Sequence, residues 1–107
     1  MNDKFITLLF LHWLADFVFQ SDWMAKGKSK SMKPLLCHIA VYTLIFLPFV
    51  GWKFVCLNSG SHLVIDYFTS RLNSYFWDRK RIHDFFVVVG FDQFLHITIL
   101  YILCQTL

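Results

Sequence analysis

The segment "FITLLFLHWLADFVFQ", Phe5 to Gln20, decides how the chain is read. Its apolar run approaches the ~20 residues that cross a bilayer's hydrocarbon core, yet it carries His12, Asp16 and Gln20 at four-residue intervals. On an α-helix that spacing sets the three side chains on one face. A charged residue at the centre of a membrane helix costs on the order of 3 kcal/mol on insertion scales. The face is therefore expected to look toward other helices rather than toward lipid.

The whole composition agrees with a membrane setting. Of 107 residues, 57% are hydrophobic and 20% aromatic, and only 16% are charged, too few to cover a soluble globule. Four apolar segments, at about 4–20, 34–50, 52–72 and 82–104, predict an all-α, polytopic membrane four-helix bundle forming a single transmembrane domain over residues 1–107. Pro34 suits a first helical turn, and Pro48 with Gly51 marks the end of the second helix. The stretch "CLNSGSH", Cys56 to His62, reads either as a loop or as a weakly polar part of a helix facing other helices.

Charge is clustered in "KGKSKSMK" (Lys26 to Lys33) and "DRKR" (Asp78 to Arg81), whereas the other loop side holds only Lys4 and Lys53. The net charge of +3 is therefore read as positive-inside loops and not as a nucleic-acid surface. That asymmetry predicts a multi-pass membrane protein with both termini outside and the basic loops cytoplasmic, where they can touch anionic lipid headgroups. Polar residues within the first apolar run, and the lack of a small-residue cleavage pattern after it, argue against a cleaved signal peptide. Cys37, Cys56 and Cys104 are odd in number and lack C-x-x-C spacing, so they read as packing residues. Trp13, Trp23, Trp52 and Trp77 fall at predicted interfaces, as an aromatic belt would.

A weak internal repeat accompanies this pattern. "HWLADF" from His12 resembles "HLVIDY" from His62, and "LLCHIAVYT" from Leu35 resembles "QFLHITILY" from Gln93. The first helix thus matches the third and the second the fourth, as two helical hairpins related by a parallel pseudo-two-fold axis along the membrane normal.

Placed on these helices, the ionisable residues form a constellation: His12 and Asp16, His38, His62 and Asp66, Asp92 and His96. Each His–Asp pair is spaced i, i+4 and shares a helical face. Three aspartates and four histidines must face one another or a wet cavity. Converged, they offer the imidazole and carboxylate donors of a divalent metal site, zinc first, with manganese or iron as alternatives, and seven candidates suffice for two ions. A hydrogen-bonded His–Asp network and a proton or ion relay are the other readings of the same residues. Gln20, Asp22 and Gln93 read as supporting or interfacial groups. Arg71 either reaches toward headgroups or an acid, or helps to hold a phosphate.

The stretches "HWLADFVFQSDWMAKGKSKSMKPLLCH", "HLVIDYFTSRL" and "FDQFLH" resemble the successive motifs of domain-of-unknown-function family 3307, a group of short bacterial and phage membrane proteins. The resemblance rests on His12, Asp16, Phe17 and Gln20, then Lys30, Lys33 and His38, His62 and Asp66, and finally Asp92, Gln93 and His96. More distantly, the placement of His and Asp is similar to inner-membrane metal-dependent hydrolases, although this chain has no Glu. The resemblance raises the expectation of a metal-dependent hydrolase acting on a lipid-linked or membrane-delivered substrate, with Asp92 as general base. Two other classes stay open: a small transporter or proton and metal-ion pathway, for which four short helices would need a homo-oligomer, and a non-enzymatic membrane partner protein.

Overall fold

The computed structural model describes residues 2–106. Their regular structure is all helical, with no strand among the described residues, in the order α1 (Asn2–Trp13), a π-helical turn (Leu14–Val18), α2 (Asp22–Gly27), α3 (Met32–Phe46), α4 (Trp52–Asp78) and α5 (Ile82–Thr106), joined by short turns. The long helices close a ring in which α1 packs on α3, α3 on α4, α4 on α5 and α5 on α1. The bundle is 43 Å long. That length matches the 27 residues of α4 at ~1.5 Å rise per residue.

Local chemistry sets the helix ends. The Ser21 hydroxyl accepts from the Met24 N–H and begins α2, and the Ser31 hydroxyl accepts from the Lys33 N–H and begins α3. At the end of α4, Lys80 takes φ 60°, while the Arg81 N–H donates to Phe76 O (2.9 Å) and the Lys80 N–H to Trp77 O (3.0 Å). This is a Schellman closure made with lysine where glycine is usual.

Several boundaries differ from those expected. A fifth, short helix, α2, occupies the first basic loop. The first helix does not run regularly to Gln20: it widens into the π turn around Asp16, closed by Phe19 N–H donating to Leu14 O at 2.8 Å, and ends there. α3 stops at Phe46 rather than at 50, and α4 continues to Asp78 rather than stopping near 72. Hydropathy falls after Leu72 while the helix continues, and Arg71 and Arg79 fold back over the Tyr67 and Tyr75 rings and donate to the tyrosine carbonyls. "CLNSGSH" is helical. Its Asn58 and Ser59 are buried because each has a partner across the bundle: Asn58 Nδ2 donates to Tyr42 Oη, and Ser59 Oγ accepts from Thr43 Oγ1.

Burial is inverted relative to an ordinary globule. Among the described residues twelve apolar residues, Pro34 included, and eleven polar or charged ones are buried, while Trp52, Leu44, Phe68, Phe94 and many other large apolar side chains are exposed. Leu8, Leu11, Phe46, Phe54, Leu100 and Leu103 form an apolar core at one end. The buried His and Asp residues lie next to it, nearer the end where α2 packs on α3. One helix, Ile82–Thr106, is long and apolar enough to cross a membrane, with mean hydropathy 1.8; Met32–Phe46 is apolar but shorter.

Gly27 positions the loop that follows α2. A Cβ there would stand 2.6 Å from Pro34 Cγ and 2.9 Å from Pro34 Cβ, at the start of α3. Gly27→Ala is expected to push the two elements apart and to destabilise the protein by about 1–3 kcal/mol. Gly60→Ala and Gly90→Ala, where an added Cβ meets nothing within 4 Å, are expected to lose no stability. Thermal denaturation in detergent compares the three, and equal melting temperatures would remove the close-approach role of Gly27.

Candidate metal centre

Asp16 leaves the backbone at the π turn, a feature that re-aims side chains and recurs at functional sites. Opposite it, His62 and Asp66 keep the i, i+4 spacing on regular α4, and His38 projects from α3. The four are buried. Asp16 Oδ1 lies 3.0 Å from His38 Nε2 and 3.3 Å from His62 Nε2; Asp66 Oδ2 lies 3.3 Å from each of the same two nitrogens; and the nitrogens are 3.1 Å apart. All of these donor atoms fall within 4.8 Å of one another. Asp16, Asp92 and His96 form an adjoining triad of the same kind, so Asp16 belongs to both groups.

The triad is more fully hydrogen-bonded than the quartet. His96 Nε2 is 3.1 Å from both Asp66 Oδ1 and Asp92 Oδ1, and the Thr69 hydroxyl donates to Asp92 Oδ1. The Gln93 amide spans the two other carboxylates, its Nε2 donating to Asp16 Oδ2 at 2.9 Å and to Asp92 Oδ2 at 3.1 Å. By contrast, Nδ1 of His38 and Nδ1 of His62 have no hydrogen-bond partner among the described residues. The His62 ring is instead held by stacking, 4.1 Å from the Tyr42 ring and 3.9 Å from the His96 ring between centroids.

His12 stands outside the quartet. Its Nε2 is 2.9 Å from Gln93 Oε1, a carbonyl that can only accept, so Nε2 carries the proton. Nδ1 then accepts from the Tyr42 hydroxyl at 2.9 Å, and Tyr42 Oη accepts from Asn58 Nδ2. Both ring nitrogens are thus committed, and His12 Nε2 is 3.7 Å from Asp16 Oδ2. The donors run in one direction, Asn58 to Tyr42 to His12 to Gln93 to Asp16, through α4, α3, α1 and α5. His12 is a positioning residue in this relay, not a donor to the quartet.

The remaining expected residues separate clearly. Gln20 lies beyond the π turn, its Nε2 donating to the Asp16 carbonyl at 3.2 Å, so it supports the Asp16 backbone. Asp22 is exposed in the first turn of α2. Arg71 is not brought to the site: its guanidinium stacks 3.7 Å from the Tyr67 ring and donates to Tyr67 O. Four participants were not singled out from the sequence. Tyr42 and Thr69 resemble packing residues in apolar helices, and Asn58 lies in "CLNSGSH", which reads equally as a loop. Lys28 is one of four closely spaced lysines between 26 and 33, yet its Nζ is 3.2 Å from Asp66 Oδ2. Among the described residues it is the one lysine or arginine that pairs with a carboxylate of the centre.

A family model described as "Protein of unknown function (DUF3307)" matches residues 4–107. The chain belongs to this family. No curated protein and no solved structure matches it. The DUF3307 match spans every residue of the quartet, the triad and the relay, and the family's description carries no activity. What this DUF3307 chain does has to be argued from the chemistry of its own side chains.

Tyr42→Phe removes the hydroxyl that joins Asn58 to His12 and leaves buried polar groups unpaired. It is expected to cost about 1–3 kcal/mol of stability. In a double-mutant cycle with Asn58→Leu, a coupling of about 0.5–3 kcal/mol is expected. Additive effects in unfolding titrations would mean that the relay is not one unit.

Proposed function

We propose that this protein is a multi-pass bundle of the bacterial inner membrane that holds one divalent metal ion, zinc most readily, between Asp16, His38, His62 and Asp66. We propose further that it works as a metal-dependent hydrolase on a lipid-linked or membrane-delivered substrate. One observation carries the metal reading: five of the six separations among the four donor atoms lie between 3.0 and 3.3 Å. Zinc bonds of about 2.0–2.1 Å to nitrogen and oxygen make a tetrahedron whose edges are about 3.3–3.4 Å. The donors therefore already stand close to the spacing of a coordination shell.

Charge supports one ion rather than two. Asp16, Asp66 and Asp92 bring three negative charges, and Lys28 returns one positive charge. One divalent cation cancels the remainder with the histidines neutral, and it gives two imidazole lone pairs at 3.1 Å a common partner. In the triad, Gln93 already donates to one oxygen each of Asp16 and Asp92, so their charge has a hydrogen-bond partner without a second ion.

The membrane reading is supported by the apolar exterior around a polar interior, and by a basic end at Lys26 to Lys33 and Arg79 to Arg81 opposite the end of Lys4 and Lys53. The matched contacts Asp16 to His38 (3.0 Å) and Asp66 to His96 (3.1 Å) fit a parallel repeat of two hairpins. For hydrolysis, a bound divalent ion supplies Lewis acidity and an activated water. Four protein donors make a closed zinc shell, so turnover requires a fifth coordination position. Asp92, the carboxylate outside the quartet, is the base that would take the water proton. Transport through a single chain is disfavoured, because the apolar core of Leu8, Leu11, Phe46, Phe54 and Leu100 blocks one end of the polar interior.

Elemental analysis of protein purified without chelators is expected to give about one divalent ion per chain. His38→Ala and Asp66→Ala should lose it, and His12→Ala should keep it with affinity reduced roughly 10–100-fold, as for residues that orient a ligand. Arg71→Ala should match the wild type. Wild-type protein without stoichiometric metal, or equal content in all variants, would sink the site.

A further inference from the structure

Beside the His/Asp centre, α2 and the loop after it form a cleft of about 440 Å³ with the C-terminal half of α4 and the start of α5. That volume lies within the ~300–1,000 Å³ of small-ligand sites. Its wall from the first basic loop carries Lys26, Lys28 and Lys30, and its wall from α4 carries Ser70, Asn73 and Asp78. The lining thus includes three lysines and one aspartate. The Ser29 and Ser74 hydroxyls, 3.1 Å apart, tie the two walls together.

Two features mark this cleft as a site and not a crevice. Ser70 is 5% exposed and its Oγ has no hydrogen-bond partner among the described residues, and neither has the buried Asn73 Oδ1. Buried polar atoms of this kind call for a ligand or water to satisfy them. The cleft also adjoins the centre through two of its lining residues. Ser70 follows Asp66 by four residues and shares its helical face, and Lys28, on the opposite wall, already reaches Asp66 Oδ2 at 3.2 Å.

The ligand chemistry follows from the donors. Lysines, a serine hydroxyl and an asparagine amide, whose N–H₂ reaches the same place when the side chain is turned over, suit a compact polyanion. We infer that the cleft binds a phosphate group of the substrate, with Lys28, Ser70 and Asn73 as its contacts and Lys26 and Lys30 at its rim. Lys28 would then divide its charge between Asp66 and the phosphate, setting the phosphoester next to the ion. As a substrate subsite this rests on the metal-centre reading, but as a phosphate site it stands on its own residues.

Isothermal titration of the purified, metal-replete protein in detergent with inorganic phosphate, and separately with a short-chain phosphatidic acid, tests the site. Both probes should bind. Lys28→Gln and Ser70→Ala should each weaken binding by about tenfold or more, as for lost charge-assisted and buried hydrogen bonds, while Arg71→Gln should not. Phosphatidic acid binding at least about tenfold tighter than phosphate would identify a lipid headgroup as the source, and equal affinities would identify the free phosphate group. No binding of either probe, or unchanged affinity in the Lys28→Gln/Ser70→Ala double variant, would overturn the inference. Metal content measured on the same samples keeps the two readings apart. Phosphate binding that survives in metal-deficient protein supports the cleft while removing the metal centre, and full metal content without phosphate binding does the reverse.

Discussion

Three carboxylates, Asp16, Asp66 and Asp92, are buried against the linked histidines His38, His62 and His96 in a bundle whose outside is apolar. Isolated buried charge costs several kcal/mol per ion even after relaxation, so every other feature of the interior has to offset it. The hydrogen bonds show how the offset is distributed. Gln93 serves one oxygen each of Asp16 and Asp92, Thr69 serves Asp92, His96 bridges Asp66 and Asp92, and Lys28 reaches Asp66. The oxygens that turn toward His38 and His62 are the ones a metal ion would complete.

The architecture follows from that requirement. Each long helix contributes polar residues at one level and apolar residues at another. On α4 the buried positions change from Phe54 and Val55 through Asn58, Ser59, His62 and Asp66 to Thr69 and Ser70. On α5 they change from Asp92 and His96 to Leu100 and Leu103. Because neighbouring helices run in opposite directions, these gradients coincide, and the apolar level seals the polar one from the far end. The π turn adds the adjustment that regular geometry lacks, directing Asp16 Oδ1 at His38 and His62 while Oδ2 stays with Gln93.

Much of this was legible in the sequence because i, i+4 spacing is a strong constraint. His62 with Asp66 and Asp92 with His96 stay on regular helices, and their side chains meet as the spacing implies. The line of His12, Asp16 and Gln20 was only partly legible. A π turn has no sequence signature, so the displacement of Gln20 onto the Asp16 carbonyl, and the diversion of His12 to Tyr42 and Gln93, could not be read. Lys28 was hidden among its neighbours because nothing local separates it from Lys26 or Lys30; only the docking of α2, which needs Gly27 against Pro34, selects it. Helix ends were blurred for a related reason. Hydropathy locates where a helix stops being apolar, whereas α4 continues to Asp78, where a backbone closure ends it.

X-ray absorption at the metal edge of zinc-loaded protein tests whether Asp16, His38, His62 and Asp66 surround one ion. The expected spectrum shows nitrogen and oxygen donors at about 2.0–2.1 Å with imidazole scattering from two histidines and no sulfur. His38→Ala should reduce that imidazole contribution. A spectrum of zinc without histidine scattering, or one with sulfur at about 2.3 Å from Cys37, Cys56 or Cys104, would contradict it.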